Sequence, residues 1–452
     1  MMDYSQWQRY IEAHPAQSLK SAMAVQLAIE KTPLNYQPVD IKSAVPICTH
    51  TLQIPKIFSQ EDKKIFEQIA STCYGIFEKT IDAYKKDPAV RRLFNFSPAL
   101  EHLILHDPGY PVRIPICRVD IFYDEKTKSF QFCEFNTDGT SAMYENDTMA
   151  ALLPLNNAYQ QLGTDLEYMP LMETFADAFL QTYASFQNAQ DKPSIAIVDL
   201  VEDAYIPEHE AFARLFTNRG YVCEVVDLRD LDYDGSSLFS TKTGTRFNAI
   251  YRRAVTMDLM NHYHDSLPLI LAVQDGNAAL IGDFQTQIIH SKKINEALLS
   301  DQLSQYFTEE ERQFLKDHLP YTMDLTSKNK HRVLENKDAW ILKPRDGFAA
   351  KGVWAGVDVP EKLWKKLVDD FADTPYIAQT YVHHFQTPNI DLINHGSFKD
   401  YSNMSGLYLY NGKFVGVYSR LSDQGIISTQ YNERMVPTLF EKEEEADSQS
   451  AD

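Results

Sequence analysis

Arg118 and Asp120 stand two apart in PICRVDIFYD, and Glu134 and Asn136 stand two apart in FQFCEFNTDG. Side chains two apart on a strand share a face. If the two segments pair as a hairpin, one patch gathers an arginine, two carboxylates and an amide. Carboxylate and amide oxygens are hard donors, of the kind Mg2+ accepts while keeping waters and phosphate oxygens in its shell. An adjacent arginine then neutralises phosphate charge. The same pattern also fits an exposed strand face with a cross-strand ion pair, worth about 0.2–1 kcal/mol. Cys117, Val119, Ile121, Cys133 and Phe135 are expected on the opposite, apolar face.

A second group lies in WILKPRDGFAAKGVW. Lys343 ends an apolar strand, and the loop after it carries Gly347 and Gly352. Glycine lets backbone N–H groups approach a phosphate closely, with the lysine as a point charge. A plain turn beside a snorkelling lysine fits too. Gln379, in TPYIAQTYV, could offer hydrogen bonds to a purine or simply be satisfied in a core strand. Arg420, after an alternating strand, could reach a carboxylate or phosphate, or stand at the surface. The order GxxxxGK[ST] is absent, as are GxGxxG and GxSxG. His262, His264, His383 and His384 lack metal-site spacing, and the cysteines read as packing residues.

These groups need elements to hold them. Ile65, Ile69, Cys73, Ile76 and Phe77 recur at helical spacing, so residues 1–110 are expected to be mostly helical, with a helix ending before Pro88. The period then changes to 2, and DEKTKS between two alternating runs signals a hairpin. Residues 111–190 continue from that hairpin into helices. SIAIVDL, then an amphipathic helix closed near Gly220, then YVCEVVDL and RFNAIYRRA, predict a parallel α/β unit; with the helices expected at 266–318 it occupies 191–330. Residues 331–440 supply the lysine-bearing strands, including GIISTQY, and 441–452 an acidic, disordered tail.

The chain has 452 residues, 43 Lys and Arg against 63 Asp and Glu, and a formal charge of −20. That balance repels nucleic-acid backbones and anionic membranes, leaving small molecules as the expected partners. Hydrophobic residues make up 44 %, enough for a packed core. Five cysteines without a CxxC pair argue against a disulfide framework or a thiolate zinc site. The N-terminus is polar, and no apolar run reaches the length of a membrane span. A cytoplasmic enzyme or binding protein is the expectation.

Glu134-Phe-Asn136 followed by Leu342-Lys343-Pro344 resembles the ATP-grasp enzymes with the two motifs in inverted order. That is the order of the circularly permuted group typified by glutathionylspermidine synthase. Arg118-Val-Asp120, Glu134-Phe-Asn136-Thr-Asp138-Gly-Thr140 and the late GVYSR…GIIS…MVPTLF are similar to the synthetase domain of that family. The resemblance implies an α/β (α+β) ATP-grasp-like fold with a Rossmann-like unit before the ATP-binding lobe. It implies ATP and Mg2+ as cofactors, with Asp120, Glu134 and Asn136 on the metal and Arg118 on the transferring phosphoryl group. Lys343, and Lys292 or its neighbour Lys293, would bind nucleotide phosphates. Gln379 would lie near adenine, Gly347 and Gly352 in the phosphate loop, and Ser141 and Arg420 near the acid substrate. The implied activity is an ATP-dependent, ADP-forming ligase joining a carboxylate to an amine. A nucleotide-binding protein with another phosphoryl transfer, or none, is the alternative. The loop 347–352 lacks the family's Gly-Arg-Glu-Gly, which points away from glutathione as the acid.

Overall fold

Strands Ile116–Tyr123 and Phe130–Asn136 pair antiparallel, as the alternating pattern predicts. The computed structural model describes residues 3–36, 47–48, 50–202, 204–345, 352–394, 396–424, 426–427 and 433–443. In it the hairpin is one edge of a six-stranded sheet. Strand Ile116–Tyr123 pairs with Lys399–Tyr410, which pairs with Lys413–Ser422, which pairs with Arg434–Val436. Strand Gln386–Asn389 also pairs with Lys399–Tyr410. Residues separated by some 300 positions in sequence thus become register partners: Asp120 lies opposite Gly406, and Arg118 opposite Tyr408.

Helix Gln60–Lys86 covers the apolar face of this sheet. It begins at a capping box, in which Ser59 and Asp62 satisfy each other's backbone N–H groups. Phe66, Ile69, Cys73, Ile76 and Phe77 pack in one core with Cys117, Val119, Ile121, Phe132 and Phe135. Phe77 meets Phe135 edge to face with ring centroids 5.0 Å apart. Burying that face leaves the other face of the hairpin to the polar residues.

The expected parallel unit is a four-stranded sheet in the order Ala279–Ile281, Ala249–Arg252, Ser194–Asp199, Val222–Asp227, with all pairings parallel. Strand Ala279–Ile281 lies inside the 266–318 stretch expected to be helical. Its three residues are too short a run for a period to show against the helices around it. A third sheet, in the order Thr322–Asp324, Tyr376–Thr380, Trp340–Pro344, Trp354–Ala355, packs against helix Glu361–Phe371. Leu342, Trp364, Val368 and Ala378 belong to its own core, so the lysine strand sits in a small separate lobe.

Two expectations at the chain ends change. Residues 1–110 also supply strand Lys56–Phe58, parallel to Thr438–Glu441. Glu441 therefore ends a strand rather than starting a tail, and residues 444–452 lie outside the described part. So does most of GIISTQY; its described residues, Ile426 and Ile427, are not in a strand. None of the described helices is long and apolar enough to cross a membrane.

Lys56, almost fully buried, forms an ion pair with the equally buried Glu125 just past the end of the first hairpin strand. It also donates to Asn403 Oδ1 at 3.2 Å in the central sheet. Removing one member of a buried pair strands the other charge, at a cost of about 3–5 kcal/mol. Lys56→Met should lower unfolding stability by that amount in urea titrations, and Lys56→Met with Glu125→Leu should recover most of it.

Candidate functional site

The hairpin turns Arg118, Asp120, Glu134 and Asn136 to one face, as the spacing predicts. Asp120 pairs with Glu134 and Arg118 with Asn136 across the strands. The register then shifts: Ile121 pairs with Phe132, so Cys133 has no partner of its own. This bulge corrects the expectation that Cys133 lies on the apolar face. Below the bulge Phe130 and Phe132 point to the core, and above it Glu134 and Asn136 point to the site. Burial pushes the Cys133 thiol up to about 11 although Lys343 draws it down, so it is not a poised nucleophile.

Asp120 is fully buried. The Arg118 guanidinium grips it with Nε 2.7 Å from Oδ1 and Nη2 3.0 Å from Oδ2. Arg420 reaches the same Oδ2 at 2.8 Å from its Nη2. Asn136 Nδ2 donates to Asp120 Oδ2 at 3.2 Å and to Glu134 Oε1 at 3.4 Å. Arg420 is therefore no surface arginine; Met404 on the neighbouring strand is its register partner, and Glu433 lies 3.8 Å from its Nη1. The Tyr418 hydroxyl donates to Glu433 at 2.6 Å.

Lys343 comes to this patch from the small lobe. It is buried, and its ammonium donates to Gln379 Oε1 at 2.8 Å. Gln379 Nε2 in turn donates to Thr322 at 2.9 Å, so both ends of that amide are used to hold the lysine. Burial would raise the pKa of Glu134, but Lys292, Lys343, Arg420 and Arg118 outweigh it and bring it down to about 2. Those cations come from three separate parts of the chain. The structure also separates the two candidate lysines. Lys293 is held by Glu296 at 2.6 Å and Asp324 at 3.0 Å, whereas Lys292 acts on Glu134 and His290.

Ser141 contributes through its backbone: its carbonyl oxygen accepts from Arg118 Nη1 at 2.9 Å and from the Tyr408 hydroxyl. Gly352 has a left-handed φ of +73°, and a Cβ there would stand 2.6 Å from the Tyr376 hydroxyl. Gly347 lies outside the described residues. Sequence reasoning did not single out Gly406. A Cβ on it would stand 2.7 Å from Arg118 Cδ and 2.8 Å from Asp120 Oδ1, so only glycine leaves room for the fork across the strand. Glycine inside a strand was the available signal.

In residue type the set suits a hard divalent cation: Asn136 joins the carboxylates of Asp120 and Glu134, here by donating from Nδ2 to both, and its amide would turn to offer its oxygen to a metal. Among the described residues no group of three or more His, Cys, Asp or Glu side chains could hold a metal alone. Asn136 and ligand oxygens would have to complete the shell. Four cationic side chains against Asp120, Glu134 and, beside Arg420, Glu433 still leave a surplus of positive charge, which suits a polyphosphate.

The chain shares the fold of a glutathione synthetase-like effector. That protein, from Globodera pallida, superposes with a TM-score of 0.58 at 12 % identity, over 92 % of each chain. A putative gamma-glutamylcysteine synthetase from Methylobacillus flagellatus aligns over 81 % of this chain and 86 % of its own, at 14 % identity. Its TM-score of 0.42 carries no argument. No family model and no curated protein matches the sequence. What is shared with the effector is the α/β fold.

Gly406→Ala should keep the fold at a cost of about 1–3 kcal/mol, the ordinary cost of overpacking, while displacing the Arg118–Asp120 fork. A crystal structure of the variant would show the displaced guanidinium; an unmoved one would contradict the packing argument. The Glu134 charge has its own signature in acid. A carboxyl with a depressed folded pKa adds stability above its unfolded pKa near 4.5, and this is lost as the pH falls toward about 2. Denaturation midpoints between pH 5 and 2 should therefore fall less steeply in Glu134→Gln than in the wild type.

Proposed function

We propose that the protein is an ATP-dependent ligase that joins a carboxylate to an amine through an acyl-phosphate. The γ-phosphoryl group would pass from its bridging oxygen, left on ADP, to a carboxylate oxygen of the acid. The amine nitrogen would then attack the acyl carbon, lose a proton and expel inorganic phosphate. The observation that carries this reading is the meeting of Glu134, Arg118 and Arg420 from the central sheet with Lys343 from the small lobe and Lys292 from the segment between them. The synthetase-type fold supports it.

Each residue has a role in that reaction. Lys343, steadied by Gln379, and Lys292 would bind the nucleotide phosphates. Arg118 would stabilise charge on the transferring group, because phosphoryl transfer depends on positioning and electrostatics more than on covalent help. Asp120, Glu134 and Asn136 would hold Mg2+, which would neutralise phosphate oxygens. Arg420, beside Asp120, would face the acid's carboxylate. An acyl-phosphate must be shielded from water, and the small lobe that carries Lys343 would be the element to do so; residues 347–351 lie outside the described part. The loop 347–352 lacks the family's arginine and glutamate. A glutathione-like acid would lose a charge-assisted contact worth about 1.5–3 kcal/mol, so a smaller or more apolar acid fits better.

One observation favours a second reading, nucleotide binding without turnover. Arg118 and Arg420 grip both oxygens of Asp120, so a cation must compete with two guanidinium groups there.

A screen of pooled acids and amines for ADP release, with mass spectrometry of the product, tests the ligase directly. Arg118→Ala should cut turnover at least ~100-fold, and a melting curve separates this from the stability lost by leaving the buried Asp120 with one arginine fewer. ATP with Mg2+ should raise the melting temperature of the wild type and do so less in Lys343→Ala. Stabilisation by ATP without ADP release from any pool would select the second reading, and no stabilisation would remove both.

A further inference from the structure

The loop after the hairpin, Thr137–Ala142, is gripped from two sides. On the site side, Arg118 Nη1 and the Tyr408 hydroxyl both donate to the Ser141 carbonyl. On the far side, Arg253 Nη1 donates to the preceding carbonyl, Thr140 O, at 2.6 Å. Arg253 follows strand Ala249–Arg252 and so belongs to the parallel unit. It is 6 % exposed, pairs with the fully buried Glu208 at 2.6 Å, and also donates to the Tyr251 hydroxyl at 3.0 Å. Glu208 then accepts from the backbone N–H of Tyr144 at 2.9 Å, on the far side of the same loop.

The loop does not take this path for want of alternatives. Ala142 sits at φ +81°, a conformation that a residue with a Cβ adopts only at a cost of about 1–3 kcal/mol. Gly139, at φ +62°, lies so close to the parallel unit that a Cβ would stand 2.8 Å from Arg253 O and from Val255 Cγ1. Asp138 pairs with the buried Arg252 and accepts from Thr256 N at 2.8 Å. The whole turn is moulded onto residues 252–256, and its site-facing carbonyl is what Arg118 rests on.

We propose that Arg253 is a positioning residue for Arg118: by holding Thr140 O it fixes the Ser141 carbonyl that, with Asp120, orients the guanidinium toward the phosphoryl group. The catalytic consequence rests on the ligase reading, whereas the geometric one does not. Asp120 and Ser141 take three of the five N–H groups of Arg118, and an anion must be met by those that remain. A guanidinium free to pivot about Asp120 would still neutralise charge but would no longer present those donors at a fixed angle. Losing Arg253 should therefore lower kcat and leave nucleotide affinity nearly unchanged.

The test compares the wild type with Arg253→Lys, which keeps the charge but ends one bond short of the Nη1 that meets Thr140 O, Glu208 and the Tyr251 hydroxyl. The first readout is the Nη1–H proton resonance of Arg118, the donor that Ser141 O holds, in arginine-labelled protein, assigned by its loss in Arg118→Lys. Its exchange with water should speed up by about tenfold, one hydrogen bond's worth of restraint, at a temperature where the variant is fully folded. The second is ADP release, in which kcat should fall about tenfold or more while KM for ATP holds. If the wild type releases no ADP the ligase reading fails, and the resonance alone decides the positioning claim. If Arg253→Lys does not fold, Glu208→Gln, which removes the charge partner of Arg253, should give the same acceleration. An unchanged Arg118 exchange rate in a folded variant would overturn the proposal.

Discussion

Asp120 is the group on which the site depends. Its carboxylate is buried between two arginines from different strands and touches the Asn136 amide. A buried carboxylate without partners would be neutral or destabilising. Here the fork from Arg118, the single contact from Arg420 and the amide supply its partners, and it fixes all three in return. The register follows from the same constraint. Gly406 must sit beside Asp120, because any side chain there would occupy the space of the fork. The long strand from residue 399 is thus locked to the hairpin at one residue.

The electrostatic balance extends outward from that carboxylate. Glu134 is the second acid of the patch, and the charges of both lysines reach it. Glu134, Asp120 and Glu433 only partly compensate the four cations, so under the ligase reading the site calls for further negative charge. A polyphosphate would bring the missing negative charge, and the small lobe that carries Lys343 would then be drawn toward the central sheet by the same attraction that depresses Glu134. Binding and closure would share one driving force.

Much of this could be read in the sequence, for identifiable reasons. The hairpin was legible because period-2 alternation in PICRVDIFY has a single good fit. Helix Gln60–Lys86 was legible because its apolar spacing runs for several turns. Lys343 stood out as a charge closing an apolar strand. Sequence could not choose between Lys292 and Lys293, since adjacent lysines differ only in which acids the fold brings near them. Gln379 had two readings, a purine contact or a satisfied core amide, and its polar ends meet Lys343 and Thr322 through strand pairings that no local pattern encodes. Gly406 and Arg253 were missed because their roles exist only across sheets. Each becomes meaningful when a partner more than 100 residues away arrives at 2.6–2.8 Å.

The bulge at Cys133 makes the hairpin's face assignment a matter of pairing. Phe130 and Phe132 reach the core on one parity, and Glu134 and Asn136 reach the site on the same parity, because one unpaired residue between them absorbs the change of side. Losing that unpaired residue would restore a regular ladder and still leave Glu134 opposite Asp120 on the site face, whereas smoothing the bulge with every residue kept would carry Glu134 and Asn136 round to the helix-covered face. Distant homologues one residue shorter just before the glutamate would thus keep the site without the bulge. In this fold the motif's face is set by its pairing with Arg118 and Asp120, not by the count of residues back to the core phenylalanines.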